Sequence, residues 1–268
     1  MSRLNLVNTS DQFLNILRRL KHRLPKKIHN LRINHAVKKI LRETQQSVLS
    51  GPFEGLKLSD HAVFGSPIPK LLGCYEKELH PFFKEIINKH RRDTMTICNI
   101  GSAEGYYAIG FARLAQVKEV VIFEILEEGQ RITQENAELN DVADKITIHG
   151  GCNPRSLIQL LKNKNVDLLV IDIEGIELDI LTKQVIKHLG NSQLVVELHD
   201  FCRPNCTSLL IERLQDSHVC DLISAQSRTA DDFPKTIKLP ISIQNQVMDE
   251  ERPCEMQWLI ASPRTLKQ

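Results

Sequence analysis

Short apolar runs recur through the last two thirds of the chain, each followed by a stretch whose apolar residues return every three or four positions. The runs centre on Thr96–Ile100, Val120–Phe123, Lys145–His149, Val166–Asp172, Gln193–Leu198, Val219–Ser224 and Trp258–Ala261. Near-continuous apolar runs are the mark of strands covered on both faces, and the intervening periodicity is that of amphipathic helices. Helices are expected over Tyr106–Ala115, 127–139, from the Asn153-Pro154 start, over 176–189 and over 207–215. Glu127 and Glu128 favour a helix N-terminus, and Gly190 closes the helix before it. Alternating strands and helices predict an α/β fold: a Rossmann-like, doubly wound, mainly parallel seven-stranded sheet. Its ligands belong at the carboxyl ends of the strands.

The first third reads differently. Phe13, Ile16, Leu17, Leu20 and Leu24 have helical spacing over residues 10–24, and Pro25 ends that pattern. A second helix runs through Leu31, Val37, Ile40 and Leu41, and Ser50-Gly51-Pro52 breaks it. Residues 51–72 predict irregular structure with short strands around Leu56–Leu58 and Ala62–Phe64. A helix over Cys74–His90, interrupted near Pro81, is expected to lie across the ligand mouth as a lid. The organisation is then a basic helical extension (1–50), a lid-like segment (51–94) and a cofactor-binding domain (95–268). The polar segment 225–255, with Arg228, Asp231, Asp232, Arg252 and Pro253, is a long loop expected on the substrate side.

Charge changes the picture only at the N-terminus. The 268 residues carry a net +2, but residues 1–50 hold eleven Lys/Arg against two Asp/Glu, or +9, leaving −7 elsewhere. Two uses of that basic segment stay open: peripheral contact with an anionic membrane surface, or an arm packed on its own domain or a second subunit. The second is preferred, and nucleic acid is not expected, since no aromatic platform or reading helix accompanies the charge. With 41% apolar and 25% charged residues the chain is globular. Seven cysteines at irregular spacing suit a reducing, cytoplasmic setting. His199, Cys202 and Cys206 fit no common zinc spacing, and no metal is assigned to them.

The chemistry gathers first at Asn99-Ile100-Gly101-Ser102-Ala103-Glu104-Gly105, a strand entering a glycine turn before a helix. The glycines allow close approach of a ligand, and the helix start offers free N–H groups. Glu124, at the tip of the next strand, is placed to accept hydrogen bonds from a ribose. A dinucleotide turn needs a second and third glycine where Ala103 and Tyr106 stand, and Glu104 would repel a pyrophosphate. S-adenosylmethionine, a phosphate-free nucleoside with a sulfonium, is therefore preferred to a nicotinamide cofactor.

A second group closes the next two strands: Asp172 and Glu174, then Glu197, His199 and Asp200. Carboxylates at the ends of buried strands are costly unless paired or liganded. In a methyl transfer, His199 is the candidate base for an acceptor hydroxyl, because its ordinary pKa lies nearest neutrality. The other possibility is a divalent cation held by Asp172 with Glu197 or Asp200.

At these residues the chain resembles the FkbM-type family of methyltransferases that use S-adenosylmethionine. The matching pieces are NIGSAEGYYAIG (99–110), VVIFEI (120–125), DLLVIDIEGIELDIL (167–181) and VVELHD (195–200). The resemblance implies a class I methyltransferase sheet with its last strand antiparallel, and transfer to an oxygen of a saccharide or related small molecule. It implies that Gly101 and Gly105 line the methionine part of the cofactor, Glu124 the ribose, and Asp172 the sulfonium. Asn99 stands where the family more often has Asp, which weakens the expected contact to the cofactor's amino group. A nitrogen or carboxylate acceptor, and a catalytically silent protein of this fold serving as an assembly or membrane-surface partner, remain as alternatives.

Overall fold

The computed structural model describes residues 31–59 and 67–264. The predicted helix at 10–24 and strand at 62–64 lie outside the described residues. Seven strands form one sheet: β1 (Met95–Ile100), β2 (Val117–Phe123), β3 (Ile146–His149), β4 (Leu168–Ile171), β5 (Gln193–Leu198), β6 (His218–Ser224) and β7 (Gln257–Pro263). Their order is β3-β2-β1-β4-β5-β7-β6, with β1 to β5 parallel and β7 antiparallel to both of its neighbours. The fold is the predicted doubly wound α/β sheet, and the chain order reverses outward from β1, where β4 adjoins it.

Both faces of the parallel strands are covered. On one face, α3 (His80–Lys89), α4 (Tyr106–Ala112) and α5 (Glu127–Leu139) bury Phe83, Ile109, Phe111 and Ala137 against Ile97, Val120 and Val170. On the other face, α6 (Pro154–Asn163), α7 (Glu177–Ile180), α8 (Lys183–Ile186) and α9 (Cys206–Leu214) pack Leu157, Leu178, Val185 and Leu210 on Cys98, Leu169 and Val196. The Asn153-Pro154 start is a capping box: Asn153 Oδ1 accepts from the Ser156 amide while the Ser156 hydroxyl accepts from the Asn153 amide.

Several expectations change. The helix expected over 176–189 is two short ones, because the Thr182 hydroxyl accepts from the Val185 amide and starts a new helix there. Pro81 opens α3 rather than interrupting it, since a first-turn proline forfeits no hydrogen bond. That helix buries Phe83 and Ile86 in the core, and none of the described residues of 51–94 lines the ligand cleft. The strand expected at 56–58 reduces to a single bridge, Ser47 to Lys57. Finally, 225–255 is an ordered cover with a helical turn at Ala230–Asp232 and α10 (Ile241–Val247). Two further helices, α1 over 31–44 and α2 (Pro67–Leu72) within the stretch expected to be irregular, insert Ala36, Ile40, Ile68 and Leu72 against Ile243, Val247 and Met248 of this cover. No helix among the described residues is long and apolar enough to cross a membrane.

Candidate active site

Strand register assembles the site. Ile100 is level with Phe123 and with Ile171, and Ile171 is level with Val196. The next residue of each strand (Gly101, Glu124, Asp172, Glu197) therefore stands in one row along the carboxyl edge. A cleft of about 280 Å³ opens there, with Glu124, Asp172 and Glu174 on its walls. Ile125, Leu126 and Ile176 also line it and stay about half exposed or more. Apolar side chains left uncovered in a concave site suit a planar, weakly polar ligand.

The glycine turn is built by contacts within the protein. Gly101 has φ +77°, and a Cβ there would lie 1.7 Å from the Asp172 carbonyl oxygen. Gly105, at φ +83°, faces Thr133 of α5. These glycines let strand tips and helix meet; only Gly101 borders the cleft. Glu124 is buried and bound to the turn: its carboxylate accepts the Ser102 amide at 3.0 Å, the Ala103 amide at 2.8 Å and the Leu126 amide at 2.8 Å. Two carboxylate oxygens offer about four acceptor positions, so one remains. Gly129 makes room for this arrangement, since a Cβ would meet Ala103 O and Glu124 Cγ at 2.9 Å.

Three predicted cofactor residues face elsewhere. Glu104 is fully buried and pairs with Lys70, whose ammonium lies over the rings of Tyr75 and Tyr106. It is not a wall of the cleft, so the expected repulsion of a pyrophosphate does not act from there. Asn99 donates from Nδ2 to Val170 O at 3.2 Å, and its Oδ1 is buried with no hydrogen-bond partner. Ser102 contributes its amide to Glu124, and its hydroxyl is likewise buried without a partner.

The second group does converge. Asp172 keeps 38% of its side chain exposed, yet its Oδ1 is buried and has no hydrogen-bond partner. Burial, and then the charge of Glu197 beside it, push its pKa well above the usual carboxylate range. Glu197 accepts from Arg252 Nη1 at 2.7 Å, and the same guanidinium holds Glu76 at 2.9 Å and Glu250 at 2.7 Å. His199 is 2% exposed, with Nδ1 2.7 Å from Glu177 Oε1. Its Nε2 stands 3.5 Å from Glu174 Oε2 and 3.7 Å from Asp172 Oδ1. Burial works to lower the imidazole pKa, but the hydrogen bond and charge of Glu177, with Glu197 and Glu174, outweigh it, and the net direction is upward. The ring is thus less available as a neutral base than its ordinary pKa suggests.

Asp200 stands apart: its carboxylate accepts from the amide and hydroxyl of Thr207 at the start of α9. Cys206 is buried with Sγ 3.7 Å from Glu177 Oε2, and Cys202 is exposed. These thiols and His199 form no ligand cluster among the described residues; the group that does is Asp172, Glu174 and His199, whose donor atoms lie within 4.8 Å of one another. Sequence reasoning missed Glu177 as the partner of His199 and Arg252 as the partner of Glu197. The first signal was present, a second acid three residues after Glu174. The second was not, because 55 residues separate Glu197 from Arg252.

A scan against models of known protein families finds no match, and a search of curated proteins finds none. Among solved structures the chain is similar to an rRNA methylase from Streptococcus thermophilus, with 10% identity, a TM-score of 0.47, and 70% of this chain and 97% of that one covered. It is also similar to precorrin-6y C5,15-methyltransferase from Geobacter metallireducens, with 13% identity, a TM-score of 0.46, and coverage of 68% and 88%. A third likeness is to precorrin 8w decarboxylase from Methanobacterium thermoautotrophicum, with 13% identity, a TM-score of 0.45, and coverage of 69% and 89%. Strand order and register, rather than these distant likenesses, define the fold and place the site.

Proposed function

We propose that the protein is a methyltransferase that uses S-adenosylmethionine and methylates a hydroxyl oxygen of a saccharide or related small molecule. One observation carries this reading. A single cleft joins an anchored carboxylate at the tip of β2, uncovered apolar side chains beside it, and an acid at the tip of β4 with a buried oxygen that lacks a hydrogen-bond partner. Those features suit the ribose, the base and the positive charge of a sulfonium nucleoside. Bound there, the cofactor supplies an activated methyl group.

The protein's own work is alignment and handling of the acceptor's proton. Glu124 holds the ribose end with its remaining acceptor position, and Ile125, Leu126 and Ile176 cover the base. Asp172 faces the reacting end, where the positive charge of a bound sulfonium would favour its ionised form against the burial and the Glu197 charge that raise its pKa. The acceptor hydroxyl is placed beside Asp172 and His199, with Arg252-paired Glu197 next to them, and its proton passes to Nε2 of the neutral imidazole. Alignment of two reactants is worth roughly 7–11 kcal/mol and proton transfer a further 10²–10⁴-fold. An acceptor that must lose a proton fits a site rich in carboxylates and imidazole.

Calorimetry with S-adenosylmethionine tests the cofactor, with saturable binding to a single site expected. Absence of both heat and thermal shift would refute it. Labelled methyl transfer across saccharide hydroxyls, amines and carboxylates then tests the acceptor. Label appearing only on nitrogen would overturn the hydroxyl assignment.

A further inference from the structure

We propose that Asp172, Glu174 and His199 form a binding site for a divalent first-row transition cation at the acceptor end of the cleft. The three residues offer two carboxylate oxygens and one imidazole nitrogen within 4.8 Å of one another. Ligand atoms about 2.1 Å from such an ion are separated by about 3.4 Å across a tetrahedral angle. The imidazole nitrogen already stands 3.5 Å from Glu174 Oε2 and 3.7 Å from Asp172 Oδ1, and Glu174, being 82% exposed, is free to adjust.

Two donors have nothing else to bind. His199 is almost fully buried, and its Nδ1 is committed to Glu177, which leaves Nε2 as the outward donor. Among the described residues Nε2 makes no hydrogen bond and is aimed at the two acids. A buried carboxylate behind an imidazole is the usual support of a metal-binding histidine, because it fixes the tautomer and the ring plane. Asp172 Oδ1 is buried with no hydrogen-bond partner, and the neighbour its carboxyl does have is the acid Glu197.

The local charge points the same way. Asp172, Glu174, Glu177 and Glu197 gather around one imidazole, while Arg252 is already shared among Glu197, Glu76 and Glu250. A doubly charged ion offsets this excess. The imidazole in the ligand set favours iron or zinc over calcium or magnesium, and the two carboxylates suit manganese as well. The ligands differ from the Asp172 set with Glu197 or Asp200 that the sequence suggested, because Arg252 and Thr207 have taken those two acids. The role of the ion rests on the methyl-transfer reading: it polarises the acceptor hydroxyl in place of a free imidazole base, and the proton leaves to water at the open rim beside Glu174. Binding of the ion does not depend on that reading.

The test is a titration of the full-length, chelator-stripped protein with Mn²⁺ alone, counting free ion by electron paramagnetic resonance. A single bound ion per chain is expected. Glu174→Gln, at an exposed side chain, should weaken it by at least the roughly tenfold that even an outer-shell change costs, with thermal stability unchanged. No bound ion, or an ion indifferent to Glu174→Gln and to His199→Gln, would overturn the proposal. Calorimetry with S-adenosylmethionine on the same samples separates the two readings. Cofactor binding without responsive Mn²⁺ removes only the cation site, and responsive Mn²⁺ without cofactor binding removes only the cofactor assignment.

Discussion

At Gly101 the chain has no alternative residue. An added Cβ would sit 1.7 Å from a backbone oxygen of the neighbouring strand tip, at a backbone φ that side chains resist. Gly101→Ala should cost more than about 4 kcal/mol, read as a loss of cooperative unfolding or a large fall in denaturation midpoint. Glu124 is constrained in another way, as acceptor for three amides at once. Glu124→Gln turns an N–H₂ toward at least one of those donors and should cost about 1–3 kcal/mol of stability. Cofactor affinity should fall with it in calorimetry; affinity unchanged alongside a lowered melting temperature would mean that the ribose is held by other groups.

Elements deliver the second group to its place. The break at Thr182 turns α7 and α8 into separate short helices, and α7 carries Glu177 to His199. Thr182→Ala removes a helix cap and should lower stability by about 1 kcal/mol, checked by chemical denaturation. The cover over 225–255 contributes Arg252, which joins β5 to the turn at Glu76. Arg252→Ala leaves Glu76 and Glu197 buried without their shared cation, while Glu250 keeps its pairing with Arg228. Loss of one partner from such a cluster costs about 3–5 kcal/mol, and adding Glu76→Gln should recover part of it in a double-mutant cycle. Full additivity of the two changes would show that they do not act on one network.

At the scale of the whole molecule, one contribution to behaviour in acid comes from His80, which does not line the cleft. Burial lowers the pKa of His80 from 6.5 to about 4, against a hydrogen bond to the Tyr75 carbonyl that works the other way. Because the folded state binds this proton less readily than the unfolded state, the neutral ring's contribution is complete above pH 6.5. It drains away as pH falls from about 6.5 toward 4. His80→Gln should therefore flatten the fall in melting temperature between pH 7 and pH 5, while a parallel fall in both proteins would assign acid sensitivity to the carboxylates.

The seven strands after residue 95, most of the helices between them, the turn at Gly101, and the carboxylates closing β2, β4 and β5 were legible in the sequence, whereas the break at Thr182 and the helix α10 were not. Apolar periodicity and punctuation by glycine and proline are local properties, readable within a dozen residues. Glu174 and His199 could be named as candidates in the same way, from their places just past strand ends. The inward turn of Glu104 toward Lys70, the capture of Asp200 by Thr207 and the sharing of Arg252 among three acids were not legible. Each depends on which distant groups packing brings within hydrogen-bonding reach. Linear order fixed the chemistry available at the sheet's edge, and only the folded chain decided which of those charges are already neutralised and which remain free to bind.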